Sequence, residues 1–317
     1  TVVTVEGLPD HPGPERMWRL VERNRATVLG MAPTAVRGLR ARTQGARPDA
    51  DLSTLRAFTS TGEAWDEPSW RWLFEVVGQS RRPILNYSGG TEIGGGILTC
   101  YTIAPQTPAS FSGPLLGMDV DVLDASAQQT GEIGELVVRN TWPGMTHSFW
   151  HDDARYLDTY WNTWPDIWVH GDLASLDADG YWHVHGRSDD TLKIAGKRTG
   201  PSEIEALLLA TGHVKEVAAV GIPDPIKGTA LVCVCVPRDA AAGPAIVDDL
   251  ATAVTAGLGT PFRPKEVILT TDLPKTRNMK IMRRVVRAVL LGNDPGDLSS
   301  LVNPEAVEAL RQQRRAE

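Results

Sequence analysis

The sequence predicts an α/β sheet joined to a β-rich subdomain, followed by a separate α+β unit. Three observations predict this. Through roughly the first hundred residues, short apolar runs alternate with amphipathic segments, and polar loops fall at the strand ends. From about residue 110 the texture changes to two-residue alternation in "GMDVDVLD" and "GEIGELVVRN", a hairpin pattern that "DGYWHVHGR" repeats. Near residue 189 a self-contained succession of strands and helices begins, of a size ordinary for one domain. The expected divisions are therefore 1–188 and 189–317.

The elements follow in order. "TVVTVEG" reads as a strand entered in mid-course, with neither an initiator Met nor a signal-peptide layout. "PERMWRLVERN" is helical, with Pro14 at its start. "ATVLGMA" is a short strand and "PTAVRGLRART" a second helix. "TLRAFTSTGEAW" is a strand running into a loop. "DEPSWRWLFEVVG" is a helix capped by Asp66 and closed near Gly78. "RPILNYSGGTEIGGG" is a strand followed by a glycine-rich loop. After the hairpin region, "DTLKIAGKRTG" is a strand and turn, and "PSEIEALLLATG" a helix opened by Pro201. "VKEVAAVGIPD" and "TALVCVCVPRD" are strands, "AIVDDLATAVTAGLG" a helix, "PKEVILTTDLP" a strand and "KIMRRVVRAVLLG" a helix. "NPEAVEALRQQRRAE" reads as a surface helix prone to fray.

Composition narrows the function classes. The 317 residues carry a formal net charge of −7. That counts against general polyanion binding, so no nucleic-acid partner is expected. No run of 18 or more apolar residues occurs, and no membrane partner is expected either. Three sparse cysteines without metal-ligand spacing suggest reduced thiols and a cytoplasmic setting. Cys233 and Cys235 alternate on one strand face, as small core hydrophobes do.

Four polar clusters could carry chemistry. "NYSGGTEIGGG" brings glycines, Thr91 and Glu92 to a strand end, where backbone N–H groups can approach a ligand; a merely flexible loop is the alternative. "HGDLASLDADGYWHVHGRSDD" contains Asp172, whose carboxylate suits vicinal hydroxyls, and Arg187, whose guanidinium suits a sugar or a phosphate. His183 and His185 there alternate as strand histidines, without metal spacing. "KIAGKRTGPSEIE" gathers Lys193, Lys197 and Arg198 around a glycine turn. "PKTRNMKIMRR" is the most basic stretch of an acidic chain. It is a solvated face, a nucleic-acid patch, or the delivery of one lysine to a phosphate or carboxylate.

Together and in this order the clusters resemble the adenylate-forming superfamily of acyl- and aryl-CoA synthetases, adenylation domains and luciferases. Within it the chain is similar to the acetyl-CoA synthetase branch. "STGEAW", "GGTEIGGG", "WPGM", "HGDLASLDADGYWHVHGRSDDTLKIAGKRTGPSEIE", "VGIPDPIKG", "LPKTRNMKIMRR" and the tail "GDLSSLVNPEAVEAL" carry the resemblance over essentially the whole chain. It implies that residues 1–188 are the later part of a large AMP-binding domain and 189–317 a small mobile one. It implies a ligase that turns a small carboxylate and MgATP into an acyl-adenylate and pyrophosphate. Coenzyme A then displaces AMP to give a thioester.

The resemblance also assigns residues. Gly62, Glu63 and Ala64 match the adenine-lining segment. Thr91 matches the contact to the α-phosphate, and Glu92 the support of Mg2+. Asp172 matches the ribose aspartate, with Arg187 beside it, and Arg198 a phosphate-side arginine. Asp189 matches the hinge, Ala195 and Gly196 the coenzyme A path, and Lys280 the lysine of adenylation. Thr61 and Gly89 fall at the acyl pocket.

Three departures qualify the match. No Ser/Thr/Gly-rich pyrophosphate loop with its lysine occurs; it is expected upstream of Thr1, so the chain reads as roughly the second half of a synthetase and is expected to be inactive alone. Met279 stands where the family has glycine before the lysine, a strain if the backbone needs positive φ. Gly89 stands where the acetate enzymes carry a tryptophan, which implies an acyl group larger than acetyl. The alternative reading is a nucleotide-binding or regulatory module of the same fold without catalysis. The oligomeric state is open.

Overall fold

The computed structural model describes the whole chain apart from residues 189, 191, 195, 196, 226, 227, 240–242, 278 and 317; of residues 193, 197, 198, 244, 315 and 316 it describes the backbone only. The described residues form two compact units, Thr1–Val184 and His185–Glu317. The division falls four residues before the expected 188/189, inside the last strand of the β-rich region.

The first unit begins with an exposed irregular segment. Residues 1–6 make no strand, against the expectation from "TVVTVEG": no described strand lies beside them to satisfy their backbone. Then come α1 (Arg16–Asn24), β1 (Val28–Gly30), α2 (Pro33–Arg42), β2 (Ala57–Ser60), α3 (Glu67–Arg71), β3 (Ile84–Ser88), β4 (Leu98–Thr99) and β5 (Gly113–Pro114). These strands form one sheet in sequential order, β1, β2 and β3 parallel and β4 and β5 antiparallel. The helices pack Trp18, Val21, Val36, Leu39 and Trp70 against Leu29, Phe58 and Ile84 of the sheet. Asp66 caps α3 by accepting from Ser69 N–H at 2.9 Å. The expected single helix over 66–78 is α-helical only to Arg71 and continues as a π-helical stretch, Trp72–Val77. Near the start of β3 a side chain replaces a strand: Gln106 Oε1 accepts from Ile84 N–H at 3.0 Å, and its Nε2 donates to Ile84 O at 2.9 Å.

The β-rich region follows as β6 (Val120–Leu123), β7 (Gly134–Val138), α4 (Asp153–Tyr160), β8 (Trp168–Leu176) and β9 (Trp182–Arg187), one four-stranded sheet with α4 joined to its core. The alternation in the sequence is the alternation of burial here: Val122, Leu136 and Val138 point into that core.

The second unit contains β10 (Leu192–Ile194), β11 (Lys197–Thr199), α5 (Pro201–Ala210), β12 (Val214–Asp224), β13 (Gly228–Pro237), α6 (Val247–Leu258), β14 (Glu266–Leu269), α7 (Arg283–Leu290) and α8 (Pro304–Ala316). Its sheet has the order β12-β13-β14, antiparallel then parallel. β12 and β13 are near-continuous apolar runs because both faces are covered. Ala218, Val220, Val232 and Val234 meet α7 and α8, while Val217, Ala219, Leu231, Cys233 and Cys235 meet α5 and α6. Burial, with Glu205 nearby, pushes the Cys235 thiol up to about 12, so it behaves as a core hydrophobe. The tail is less peripheral than its composition suggests: Val307 and Leu310 of α8 lie in the core.

Candidate functional site

In the first unit the site grows from the carboxyl ends of the parallel strands. β2 and β3 run side by side, with Ser60 opposite Asn86, so the loops that follow them emerge together. Ligands of open α/β sheets bind at such ends. The first loop holds Thr61, Gly62, Glu63 and Ala64. Gly62 has φ 100, a conformation that favours glycine. Glu63 does not project freely. Its Oε1 accepts from Thr34 N–H at 3.2 Å and from the Thr34 hydroxyl, and its Oε2 lies 4.0 Å from Arg37 Nη1. The carboxylate thus fixes this loop to the start of α2, where the helix dipole favours a negative charge.

The second loop contains Gly89, Gly90, Thr91 and Glu92. Thr91–Ile93 is one 3-10 turn that leaves Thr91 exposed and buries Ile93. Glu92 is half-buried and accepts a hydrogen bond from the Tyr160 hydroxyl of α4. The turn is packed tightly against β8: a methyl group on Gly90 would lie 2.9 Å from Glu92 Oε2 and 3.1 Å from His170 Cε1. His170 is buried, and its Nε2 lies 3.7 Å from Asp172 Oδ2. Gly171 between them has φ 80. The fold therefore brings the loop segments 61–64 and 89–92 together with Asp172 inside one unit. Tyr160 and His170 are the members that sequence reasoning missed.

The surroundings of Gly89 bear on the pocket expectation. A Cβ there would meet Gly95 O at 2.5 Å and Gly96 Cα at 3.1 Å. Backbone, and not open space, lies along that direction, so a side chain at residue 89 requires the 95–96 loop to move.

The described residues contain no group of three or more His, Cys, Asp and Glu side chains arranged to hold a metal ion. Mg2+ is commonly held by one or two carboxylates together with substrate phosphates. A single carboxylate such as Glu92 fits that supporting role. No helix among the described residues is long and apolar enough to cross a membrane.

In the second unit Arg187 ends β9 and is partly exposed. Asp189, Ala195 and Gly196 lie outside the described residues, and Arg198 is described only as backbone, opposite Lys193 in the β10–β11 pair. Lys280 is placed differently from expectation. The sequence put it in a helix; α7 begins only at Arg283, and Lys275 bridges Ile281 so that the described residues on either side form the two arms of a hairpin. Met279 turns the chain with φ 64, and its N–H donates to Thr276 O at 2.8 Å. The left-handed residue rules out a helix through this point.

The hairpin sorts the basic cluster. Arg283 Nε and Nη2 donate to the two oxygens of Glu205 at 2.7 and 2.5 Å. Arg284 donates to the carbonyls of Pro295 and Asp297. Lys275 is buried, with Asp272 at 2.5 Å and Glu216 at 2.8 Å. Lys280 is exposed and has no ion-pair partner among the described residues.

Charge and burial compete in this network. Partial burial would raise Asp272, but hydrogen bonds from Lys275, Asn303 and Leu273 N–H outweigh it and hold the carboxyl below its ordinary 3.8. Burial would likewise lower Lys275, but its bonds to Asp272 and Glu216 carry it above 10.5. A depressed carboxyl contributes stability fully above its unfolded value and loses it as pH falls through the folded one. A raised lysine contributes fully below its unfolded value and loses it as pH rises through the folded one. The second unit's unfolding midpoint therefore declines below about pH 4. Asp272→Asn shallows that acid limb, as calorimetry across pH will show; an unchanged limb removes Asp272 as its source.

The chain is similar to known proteins along both units. The family model for AMP-binding enzymes matches residues 1–150, and the model for the AMP-binding enzyme C-terminal domain matches residues 203–280, ending on Lys280. The chain is 37% identical over 314 residues to the acetyl-coenzyme A synthetase of Pyrobaculum aerophilum, covering 97% of this chain and 47% of that protein. It is 38% identical over 321 residues to that of Methanothrix soehngenii, covering 98% and 48%. Among solved structures it superposes on the acetoacetyl-CoA synthetase from Streptomyces lividans with a TM-score of 0.83 at 27% identity, over 97% of this chain and 48% of that one. An anthranilate CoA ligase in complex with anthranoyl-AMP gives 0.70, also at 27%, over 87% and 52%. The chain spans about half the length of the curated relatives it matches. With both family models matched in chain order, one within each unit, the chain belongs to the AMP-binding enzyme family.

Proposed function

We propose that the full-length protein is an AMP-forming acyl-CoA synthetase. A carboxylate attacks the α-phosphorus of ATP, forming the acyl-adenylate and releasing pyrophosphate. The coenzyme A thiol then attacks the acyl carbon and releases AMP. The carrying observation is that segments 61–64 and 91–92 emerge together at the strand ends of one sheet, and that the second of them packs on β8 beside Asp172. In this reading residues 62–64 line the adenine, with Glu63 holding the loop to α2. Asp172 accepts from the ribose hydroxyls, and Arg187 serves as a further nucleotide-binding residue. Thr91 contacts the α-phosphate, and Glu92 supports Mg2+, which offsets phosphate charge when bound. Arg198 lies on the phosphate side. Asp189 is the hinge, and Ala195 and Gly196 line the coenzyme A path. Lys280 serves adenylation, where negative charge grows on the phosphoryl and acyl oxygens and a fixed ammonium is most effective once water is excluded.

Thr61 and Gly89 border the acyl pocket, and with no side chain at residue 89 the preferred acid is larger than acetate, although the Gly95–Gly96 backbone takes up the space nearest that position. Each additional methylene taken into an apolar pocket contributes about 0.8 kcal/mol. Three or four extra carbons then raise kcat/KM by roughly 60–200-fold over acetate. The test is a chain-length series, assayed by AMP release, on the full-length protein. A maximum at acetate overturns the pocket assignment, and no acyl-CoA from any acid overturns the synthetase reading. The 317-residue chain alone is expected to form none. Gly89→Trp is a poor reversal of preference, because the substitution also displaces the backbone at Gly95.

A further inference from the structure

The Lys280 hairpin is closed by its own short-range bonds. Thr276 N–H donates to Lys280 O at 2.9 Å, and Lys280 N–H donates to Thr276 Oγ1 at 3.2 Å. Those bonds shape the turn without anchoring it. The anchor comes from segment 301–303. Thr276 bridges Leu301, and Val302 N–H donates to Lys275 O at 3.0 Å. Asn303, buried, then meets the base of the hairpin with its whole amide. Its Oδ1 accepts from Lys275 N–H at 2.9 Å. Its Nδ2 donates to Asp272 Oδ2 and to Leu273 O, both at 2.7 Å.

An asparagine immediately before a helix that opens with proline ordinarily caps that helix. Asn303 precedes α8 in this way, yet its side-chain bonds go to the 272–275 segment. Lys275 completes the arrangement with its ammonium between Asp272 and Glu216. Its ammonium is taken up by these two carboxylates rather than presented to solvent. It ties the hairpin base to β12.

We propose that Asn303 and Lys275 are positioning residues that hold the Lys280 turn in register, so that the C-terminal segment sets where that ammonium points. This rests on Lys280 acting in adenylation, as above. A lysine on a four-carbon stem acts on a transition state only if its backbone is fixed, since a displacement of about 1 Å can cost on the order of 10²-fold in rate.

The test begins with amide hydrogen exchange in the 317-residue chain, as wild type, Asn303→Ala and Lys275→Met. The amides of Thr276, Met279 and Lys280 are expected to exchange about tenfold faster or more in both variants, while those of β12 and β13 keep their rates. Unchanged exchange in the turn overturns the clamp, and so does an equal rise throughout the unit, which would mark a merely structural role. If Asn303→Ala does not fold, Lys275→Met reports on the same amides. In the full-length protein both variants should lower kcat for adenylation by roughly tenfold or more, with KM for ATP and thioester formation from supplied adenylate retained. Faster exchange with adenylation intact removes Lys280 from the reaction, and the proposal falls with that assignment rather than with the clamp.

Discussion

Lys280→Ala in the full-length protein should slow acyl-adenylate formation by about 10²–10³-fold, the scale of losing one preorganised transition-state donor. Thioester formation from supplied acyl-adenylate should survive, because that half-reaction develops its charge elsewhere. The structure adds a control. Lys275, Arg283 and Arg284 are engaged inside the second unit, whereas Lys280 is exposed on its turn. Removing Lys280 should therefore shift stability by no more than about 0.5 kcal/mol, as for ordinary surface positions. Pyrophosphate exchange, thioester formation and a denaturation curve on the same preparation test all three statements. Equal loss in both half-reactions, or a stability loss beyond that range, would show that Lys280 supports the fold and not adenylation.

Trp168→Ala should be the most damaging single change to the first unit. The indole is fully buried and stacks on Tyr160 at 4.1 Å and 9°, with Trp142 and Trp161 meeting it edge-on at 5.4 and 5.6 Å. Truncating such a side chain costs about 3–5 kcal/mol through lost burial and the cavity left behind. That is a large part of the 5–15 kcal/mol a domain typically has. The damage also reaches the site, because Tyr160 donates to Glu92 and Trp168 fixes the plane of its ring. Tyr160→Phe separates the two effects. It retains the stacked ring and removes one hydrogen bond to a carboxylate, a loss of about 1.5–3 kcal/mol. Urea denaturation followed by tryptophan fluorescence gives both values. A Trp168→Ala loss no larger than that of Tyr160→Phe would mean that the aromatic stack closes around the gap.

Much of this was readable from local pattern. The helix starts at Pro33 and Pro201, the cap at Asp66, the alternation of β6 and β7 and the buried thiols of β13 all follow from neighbours in sequence. So does the placement of loops 61–64 and 89–92 at strand ends. The misses have two physical sources. Tyr160 and His170 join the site through contacts made across the fold, the Tyr160 bond to Glu92 spanning 68 residues, and no periodicity announces such a contact. Lys280 was read into a helix because "KIMRRVVRAVLLG" is amphipathic throughout. The left-handed Met279 and the bridge from Lys275 to Ile281 override propensity there. The first residues show the same limit from the other side: "VVTV" has strand-forming side chains, and strand propensity without a neighbour makes no strand.

The amide of Gln106 has a consequence for association between chains. A strand whose N–H and C=O groups point at nothing is a template for another chain, and "PILNY" is apolar enough to recruit one. By bonding both polar groups of Ile84 in the manner of a missing strand, one side chain closes the stretch where β4 does not reach. The sheet is thereby protected against aggregation at that point without the length of a further strand, and the protection depends on a single amide twenty-two residues away.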